Sequence, residues 1–365
     1  MSAAPMTMSE TEALRFLAAQ PAVHLAGLDA SGGPLLRPLH TALWDGRLVF
    51  HGRPGEKAAA IGGAVVVAAH EVVVGLPSYF FHPERACPAT TWFLAAEAHG
   101  LLEAIEAPAE KAGAMAAIMA QHQPEGGYTP LSAEDPQYRA ALERLAMFGV
   151  RATRVSGRVK LGQHLPAERV ASVLASLWAR GAPGDLEAME RIARAHAARP
   201  WPATLCLSDG ARARPACADD LPAVVDLLRG QYWLLDASDD DIAAAHRGAS
   251  AWMVVSDAEG RVLASGRAVS DRARRAWIYD VVVAPQRRGG GLGRAIVEAL
   301  LAHPALRDVP AVWLGTRDAM AFYAGLGFTT VGSLPVGGAV GPEAPASTQM
   351  VRRRAAPGRV PMSAS

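Results

Sequence analysis

Polar and apolar positions along the first half of the chain follow two rhythms, one helical and one extended. Ser9 and Glu12 stand at capping-box spacing in a segment that reads as a capped helix. Short alternating runs follow at Val23–Leu28, Leu35–Trp44 and Arg47–His51, separated by the turn Asp29–Pro34 and by the hairpin dipeptide Asp45-Gly46. Val65–Ala69, Val72–Val74 and Trp92–Leu102 continue the β pattern, whereas Ala107–Gln121, Ala167–Arg180 and Leu186–Ala198 carry helical spacing. Meander strands at this spacing predict a small antiparallel barrel with helical additions.

The stretch 200–215 holds Pro200, Pro202 and Pro215 and has no periodicity, so a domain boundary is expected there. Beyond it the pattern alternates. A helix starting near Asp219, strands at Ala251–Ser256, Arg261–Ser270 and Arg275–Ala284, a helix at Gly291–Ala302, a strand at Ala311–Leu314, a helix at Asp318–Gly325 and a strand from Phe328 predict an open mixed sheet with covering helices. The expected organisation is α+β in two domains: residues 1–205, a linker at 206–215, a second domain at 216–352 and a flexible tail at 353–365.

Composition supports two sizeable cores, because half of the 365 residues are hydrophobic and 19% are charged. A net charge of +1 gives no global steering towards nucleic acid, so no nucleic-acid partner is expected. Cys87, Cys206 and Cys217 are too irregularly spaced for a disulfide framework or a zinc site, and the histidines form no ligand motif, so no metal is expected. With apolar runs of strand length only, the chain reads as a soluble cytoplasmic protein with no membrane partner. Only Lys57, Lys111 and Lys160 among its 36 basic residues are lysines, which makes each lysine more informative than usual.

In the second domain a strand runs into Pro285-Gln-Arg-Arg-Gly-Gly-Gly-Leu-Gly293 and then directly into a helix. Gly289, Gly291 and Gly293 permit close backbone approach, the helix start offers free N–H groups, and Arg287 and Arg288 add charge. That combination is a pyrophosphate cradle, or else a glycine-rich turn without chemistry. The order Arg288-Gly-Gly-Gly291-Leu-Gly293 after Val281-Val-Val-Ala-Pro285, followed by Leu314-Gly-Thr-Arg-Asp-Ala-Met-Ala-Phe-Tyr323, resembles the acetyl-CoA motif and second landmark of the GNAT N-acetyltransferases. The resemblance covers roughly 212–352. It implies that the backbone at Val281 and Val283 pairs with pantetheine, that the Arg288–Gly293 turn holds the pyrophosphate, and that Tyr323 acts as general acid for the leaving thiolate. Transfer to an amine also needs a proton acceptor, and Asp280, on the strand passing the thioester, is the candidate base or else a structural cap. Tyr232 and Trp233 are either an acceptor-pocket wall or core aromatics. Asp318 departs from the Asn of many members.

In the first domain Lys57 opens a helix beside the Gly52 turn, a phosphate contact or a solvated lysine. Arg37, His51, Thr91-Trp92-Phe93 and Val155–His164 resemble the FMN-binding split barrels related to pyridoxamine 5′-phosphate oxidase, in particular the PaiB-like branch, over about 10–195. The resemblance implies an N-terminal homodimer, FMN phosphate near Arg37, His51 and Lys57, and Thr91 and Trp92 approaching from the other side. Gly162-Gln163-His164 replaces Ser-Gln-Asn, and a second cation after Arg37 is missing, which favours flavin binding over oxidase chemistry. Haem on His51, His82 or His99 is the alternative cofactor. The expected function is acetyl transfer to a small amine by a bifunctional chain. The competing class is a sensor whose acetyltransferase fold only binds coenzyme.

Overall fold

The capping box forms as its spacing predicts: Glu12 Oε2 accepts from the Ser9 amide at 2.8 Å, and Ser9 Oγ accepts from the Glu12 amide at 3.3 Å. It starts α1 (Glu10–Ala19) in a computed structural model that describes residues 6–52, 55, 57, 60–196, 205–207, 210–234, 236–335 and 346–354. The chain divides into one unit of Met1–Leu165 with Arg194–Ala197, and another of Pro166–Ala193 with Ala198–Ser365. No helix among the described residues is long and apolar enough to cross a membrane.

The first unit is one antiparallel sheet of β1 (Val23–Leu28), β2 (Pro34–Leu39), β3 (Ala42–Trp44), β4 (Arg47–Gly52), β5 (Ala64–Leu76), β6 (Thr90–Ile105) and β7 (Ala146–Lys160). Its order is β2-β1-β5-β6-β7-β4-β3. Asp45 and Gly46 take φ 48° and 69°, the left-handed pair that a two-residue hairpin between β3 and β4 requires. The long strands bend at bulges. One lies between Val72 and Val74, and another at His99/Gly100, where a Cβ on Gly100 would collide with the Arg151 carbonyl. The curl buries Leu17, Leu25, Leu48, Phe50, Val67 and Leu102 in one core. Helices α2 (Pro108–His122) and α3 (Pro136–Arg144) follow β6, and α3 has no counterpart in the sequence reading.

The second unit opens with α4 (Ala167–Arg180) and α5 (Asp185–Arg194), so the division falls after Leu165 and not after residue 205 as expected. The cause is packing. Trp178 meets the His303 ring edge-on at 5.2 Å, Arg307 donates to the Trp178 carbonyl at 2.8 Å, and Gly181 abuts Pro304. The expected linker also contains a paired strand, β9 (Arg212–Pro215), beside β8 (Leu205–Cys206). The eight-stranded sheet continues through β10 (Ala251–Ser256), β11 (Val262–Ser270), β12 (Arg275–Val283), β13 (Ala311–Thr316), β14 (Thr329–Pro335) and β15 (Ala346–Arg353), in the order β14-β15-β13-β12-β11-β10-β9-β8. Arg353, assigned to the tail by the sequence, pairs with Ala311 in β15, and residues 355–365 lie outside the described residues. Helices α6 (Leu221–Leu228) and α7 (Asp239–Arg247) cover one face, and α8 (Leu292–Ala302) covers the other.

Candidate functional site

The central cleft of the second unit exists because two parallel neighbours part. β12 and β13 pair from Arg275/Ala311 to Ile278/Leu314 and no further. β13 then stays with β15 while β12 stays with β11. At the parting point β12 carries one extra residue: Arg267 faces Tyr279, whereas Ser265 faces Val282. Asp280 is the bulge, at φ 53°, a left-handed conformation that a short Asp tolerates better than most residues. The bulge reverses the alternation of faces. Ala276 and Ile278 point to the α8 core before it, and Val281 and Val283 do so after it, while Val282 turns to the α6/α7 side. The free edge of β12 beyond Ile278 can therefore pair with an extended amide-bearing ligand.

At the end of β12 the chain turns through Gly289 (φ 79°) and Gly291 (φ 82°) into α8. Gly291 is the N-cap and brings no side-chain cap, so the first N–H groups of an 11-residue helix face outward. A Cβ on Gly289 or Gly291 would have no neighbour within 4 Å, so the turn is open as well as left-handed. Arg287 and Arg288 flank it, and with Val281, Val283 and Gly293 they line one cleft of about 1010 Å³. These residues fit a pyrophosphate with a pantetheine arm.

Tyr323, on α9 (Met320–Ala324), is 8% exposed and reaches the same cleft between the rings of Phe322 and Phe328. Burial first, then nearby Tyr232 and Asp318, push its hydroxyl up to about 12, so it stays a proton donor throughout the neutral range. Asp280 reaches the cleft too, but its carboxylate accepts from Arg267 Nε at 2.6 Å and is almost wholly buried. The Arg267 guanidinium thus holds the Asp280 carboxylate in place, a partner that its sequence neighbours do not show. Tyr232 and Trp233 both line the opposite wall. Trp233 packs on the α6/α7 cluster, while Tyr232 lies under Arg317, with the guanidinium 3.7 Å from the ring centre. The sequence reading missed Trp277, Tyr279 and Arg267. Their alternation along β11 and β12 was visible, but the cross-strand register that gathers them was not.

In the first unit Arg37, His51 and Lys57 do come together, and His40 joins them. Lys57 and His51 are each held below their usual values, first by burial and then by neighbouring positive charge, from Arg37 on Lys57 and from Lys57 and His40 on His51. Lys57 Nζ also packs so closely on Gly52 that a Cβ there would approach to 2.6 Å. Arg37 and Lys57, with the His40 and His51 imidazoles beside them, fit a phosphate monoester, whose charge would relieve that repulsion. Thr91 and Trp92 lie near the start of β6, whereas His51 is aligned through Met147 with Ile105 at its other end. Trp92 corrects the sequence reading outright. It is 1% exposed beneath Gly162, where a Cβ would fall 2.5 Å from the indole, so its side chain is core and not a ligand contact. Thr91 is exposed, next to a Lys160–Thr90 contact of 2.7 Å. Of the haem candidates, His82 Nδ1 accepts from the Glu84 and Arg85 amides, and His99 is engaged by Glu97 and Arg154.

The two halves match two families. Residues 9–159 match the family model described as pyridoxamine 5′-phosphate oxidase, and residues 221–328 match that of the acetyltransferase (GNAT) family. The chain thus carries a pyridoxamine 5′-phosphate oxidase-like domain followed by a GNAT acetyltransferase domain. Curated relatives include "GCN5-related N-acetyltransferase 2, chloroplastic" of Arabidopsis thaliana, 39% identical over 71 residues, 19% of this chain and 28% of that protein. "Histone acetyltransferase TAP1" of Glycine max is 39% identical over 69 residues, 19% of this chain and 30% of that protein. The chain spans less than a third of the length of these two relatives. Among solved structures, a GCN5-related N-acetyltransferase from Kribbella flavida is 20% identical, with a TM-score of 0.32, covering 40% of this chain and 98% of that one. The FAD binding protein from Mycobacterium smegmatis is 16% identical, with a TM-score of 0.29, covering 42% and 97%.

Proposed function

We propose that the C-terminal unit transfers the acetyl group of acetyl-CoA to a small amine, and that the N-terminal unit binds FMN in a homodimer. The observation that carries the first part is the convergence in one cleft of the parted β12 edge, the uncapped Gly291 turn and the buried Tyr323 hydroxyl. In the reaction the amine nitrogen attacks the thioester carbonyl carbon, the C–S bond breaks, and the departing sulfur takes the Tyr323 proton. A cleft built only to sense the coenzyme would have no use for a buried donor beside the sulfur.

For the barrel, the gathering of Arg37, His51 and Lys57 supports a phosphate-bearing cofactor, and FMN supplies redox chemistry when bound. Leu28, Leu36 and Leu101, each more than half exposed and brought to one end of the sheet by the strand register, give a second copy an apolar surface to cover. The chain would act in the cytoplasm as a two-site protein. Tyr323→Phe tests the transferase reading, since it keeps the ring and removes the donor. We expect kcat to fall ~10–1000-fold with acetyl-CoA affinity nearly unchanged. Full activity in the variant would reduce Tyr323 to packing.

A further inference from the structure

Away from the coenzyme turn the cleft wall becomes aromatic. Trp277 and Tyr279 stand two positions apart on β12, with ring centres 6.1 Å and planes 30° apart. Trp313, the direct partner of Trp277 across the parallel β12/β13 pair, lies parallel to it at 6.1 Å and 7°. Opposite Tyr279 on β11, Arg267 sets its guanidinium 4.8 Å from the Tyr279 ring centre. Tyr232 approaches from the other wall under Arg317.

Charge narrows the reading further. The carboxylates lining the cleft among the described residues are Asp280, which is bound to Arg267, and Asp318. Arg267, Arg287, Arg288 and Arg294 line the same cleft, and Arg317 stands above Tyr232. Arg267 is bound to Asp280, Arg294 to Glu298 at 2.8 Å, and Arg287 and Arg288 flank the coenzyme turn, so a polyamine finds few carboxylates there to hold its additional charges. A single amine on a flat ring gains π-faces to stack on.

We infer that the acceptor is a primary amine carried on an aromatic or heteroaromatic ring and bearing no second positive charge. The inference rests on the acetyltransferase reading. The ring stacks along Trp277 and Tyr279. The nitrogen lone pair forms the new N–C bond at the acetyl carbonyl, and the C–S electron pair leaves on sulfur. Sulfur is protonated by Tyr323, which recovers its proton from water, and the ammonium proton of the adduct goes to water. The products are an N-acetyl arylamine or arylalkylamine and the free CoA thiol.

The full-length chain tests this with acetyl-CoA and a thiol-release assay on tryptamine, 2-phenylethylamine, butylamine and spermidine. We expect kcat/KM for tryptamine at least ~10-fold above butylamine, with spermidine lowest. Trp277→Leu should raise the tryptamine KM ~10-fold with kcat nearly unchanged, Trp277→Phe should recover most of it, and calorimetric acetyl-CoA affinity should hold in both. Tyr279→Ala, at an exposed position, repeats the test without risk to the core. Spermidine or butylamine turned over as well as tryptamine overturns the inference, as does an unchanged tryptamine KM in both the Trp277→Leu and Tyr279→Ala variants. Acetyl-CoA binding without turnover of either aromatic amine overturns it while leaving the coenzyme site standing. Absence of acetyl-CoA binding overturns the transferase reading itself, and the inference with it.

Discussion

Gly291→Val separates what the α8 turn needs for its backbone from what it needs for a ligand. Gly291 sits at φ 82°, ψ −3° as the N-cap of α8. An L residue there costs about 1–2 kcal/mol, since Cβ crowds the following carbonyl. Nothing lies within 4 Å of the added Cβ, so the strain belongs to the backbone alone. Valine relieves it by swinging the N-cap peptide, and the N–H groups ahead of α8 turn away with it. Each charge-assisted bond lost to a pyrophosphate is worth about 1.5–3 kcal/mol. With Arg287 and Arg288 still in place, a net loss of ~2–3 kcal/mol is expected, or roughly 30- to 150-fold in acetyl-CoA affinity. Gly260 supplies the control. It has φ 86°, equally open surroundings and a place in the turn between β10 and β11, so Gly260→Val carries the strain without touching the cradle. Thermal unfolding reads the strain and titration calorimetry reads the coenzyme. Both variants should lose similar stability, and only Gly291→Val should lose affinity. Acetyl-CoA bound equally by Gly291→Val and the parent chain refutes the cradle, and equal weakening in both variants refutes its locality.

Two further outcomes follow from the charge arrangement. Lys57→Glu places a negative charge among Arg37, His40 and His51, so FMN affinity should fall at least ~100-fold while acetyl transfer persists. Absorbance of the desalted protein after reconstitution checks this, and an equally yellow variant would remove Lys57 from the site. His303 is held at about 3, against a usual 6.5, first by burial and then by Arg272 and Arg307. Protons therefore bind the unfolded chain first. Its contribution is intact above about pH 6.5 and is lost as pH falls towards about 3, at ~1.4 kcal/mol per pH unit. Thermal unfolding down to about pH 4.5 should show that acid slope, and His303→Asn, which keeps an acceptor for the Ala305 amide, should flatten it. An identical slope in both proteins would assign the acid sensitivity elsewhere.

What could be read along the chain is what local chemistry decides. The Ser9 capping box, the Asp45-Gly46 hairpin and the left-handed Gly289 and Gly291 turn each follow from a few adjacent residues, and each forms. What could not be read depends on which strand lies beside which. The salt bridge of Arg267 with Asp280 and the rank of Trp277, Tyr279 and Trp313 exist only once β11, β12 and β13 are in register. β15 slots between β13 and β14 although it comes last in the sequence, so its final arginines looked like a tail. The amphipathic helices α4 and α5 show an apolar stripe but not its destination. Contacts with His303, Pro304 and Arg307 place them with the acetyltransferase sheet.

Trp92 carries the same lesson to the proposed flavin site. In Thr91-Trp92-Phe93 alternate side chains must face opposite sides of the sheet, and only the Gly162 contact decides that the indole is the one turned inward. Thr91, the residue left outside, is the second residue of a 16-residue strand whose other end aligns with His51. In the proposed dimer the Thr91 end of one chain and the Arg37, His51 and Lys57 cluster of its partner would meet on one flavin. The exposed Leu28, Leu36 and Leu101, which the β1, β2, β5 and β6 registers bring to one end of the sheet, are the contacts proposed between those chains. On this arrangement flavin occupancy is a property of the dimer. A Lys57→Glu chain mixed with a chain altered at Thr91 would then rebuild one intact cleft per heterodimer, which neither parent possesses.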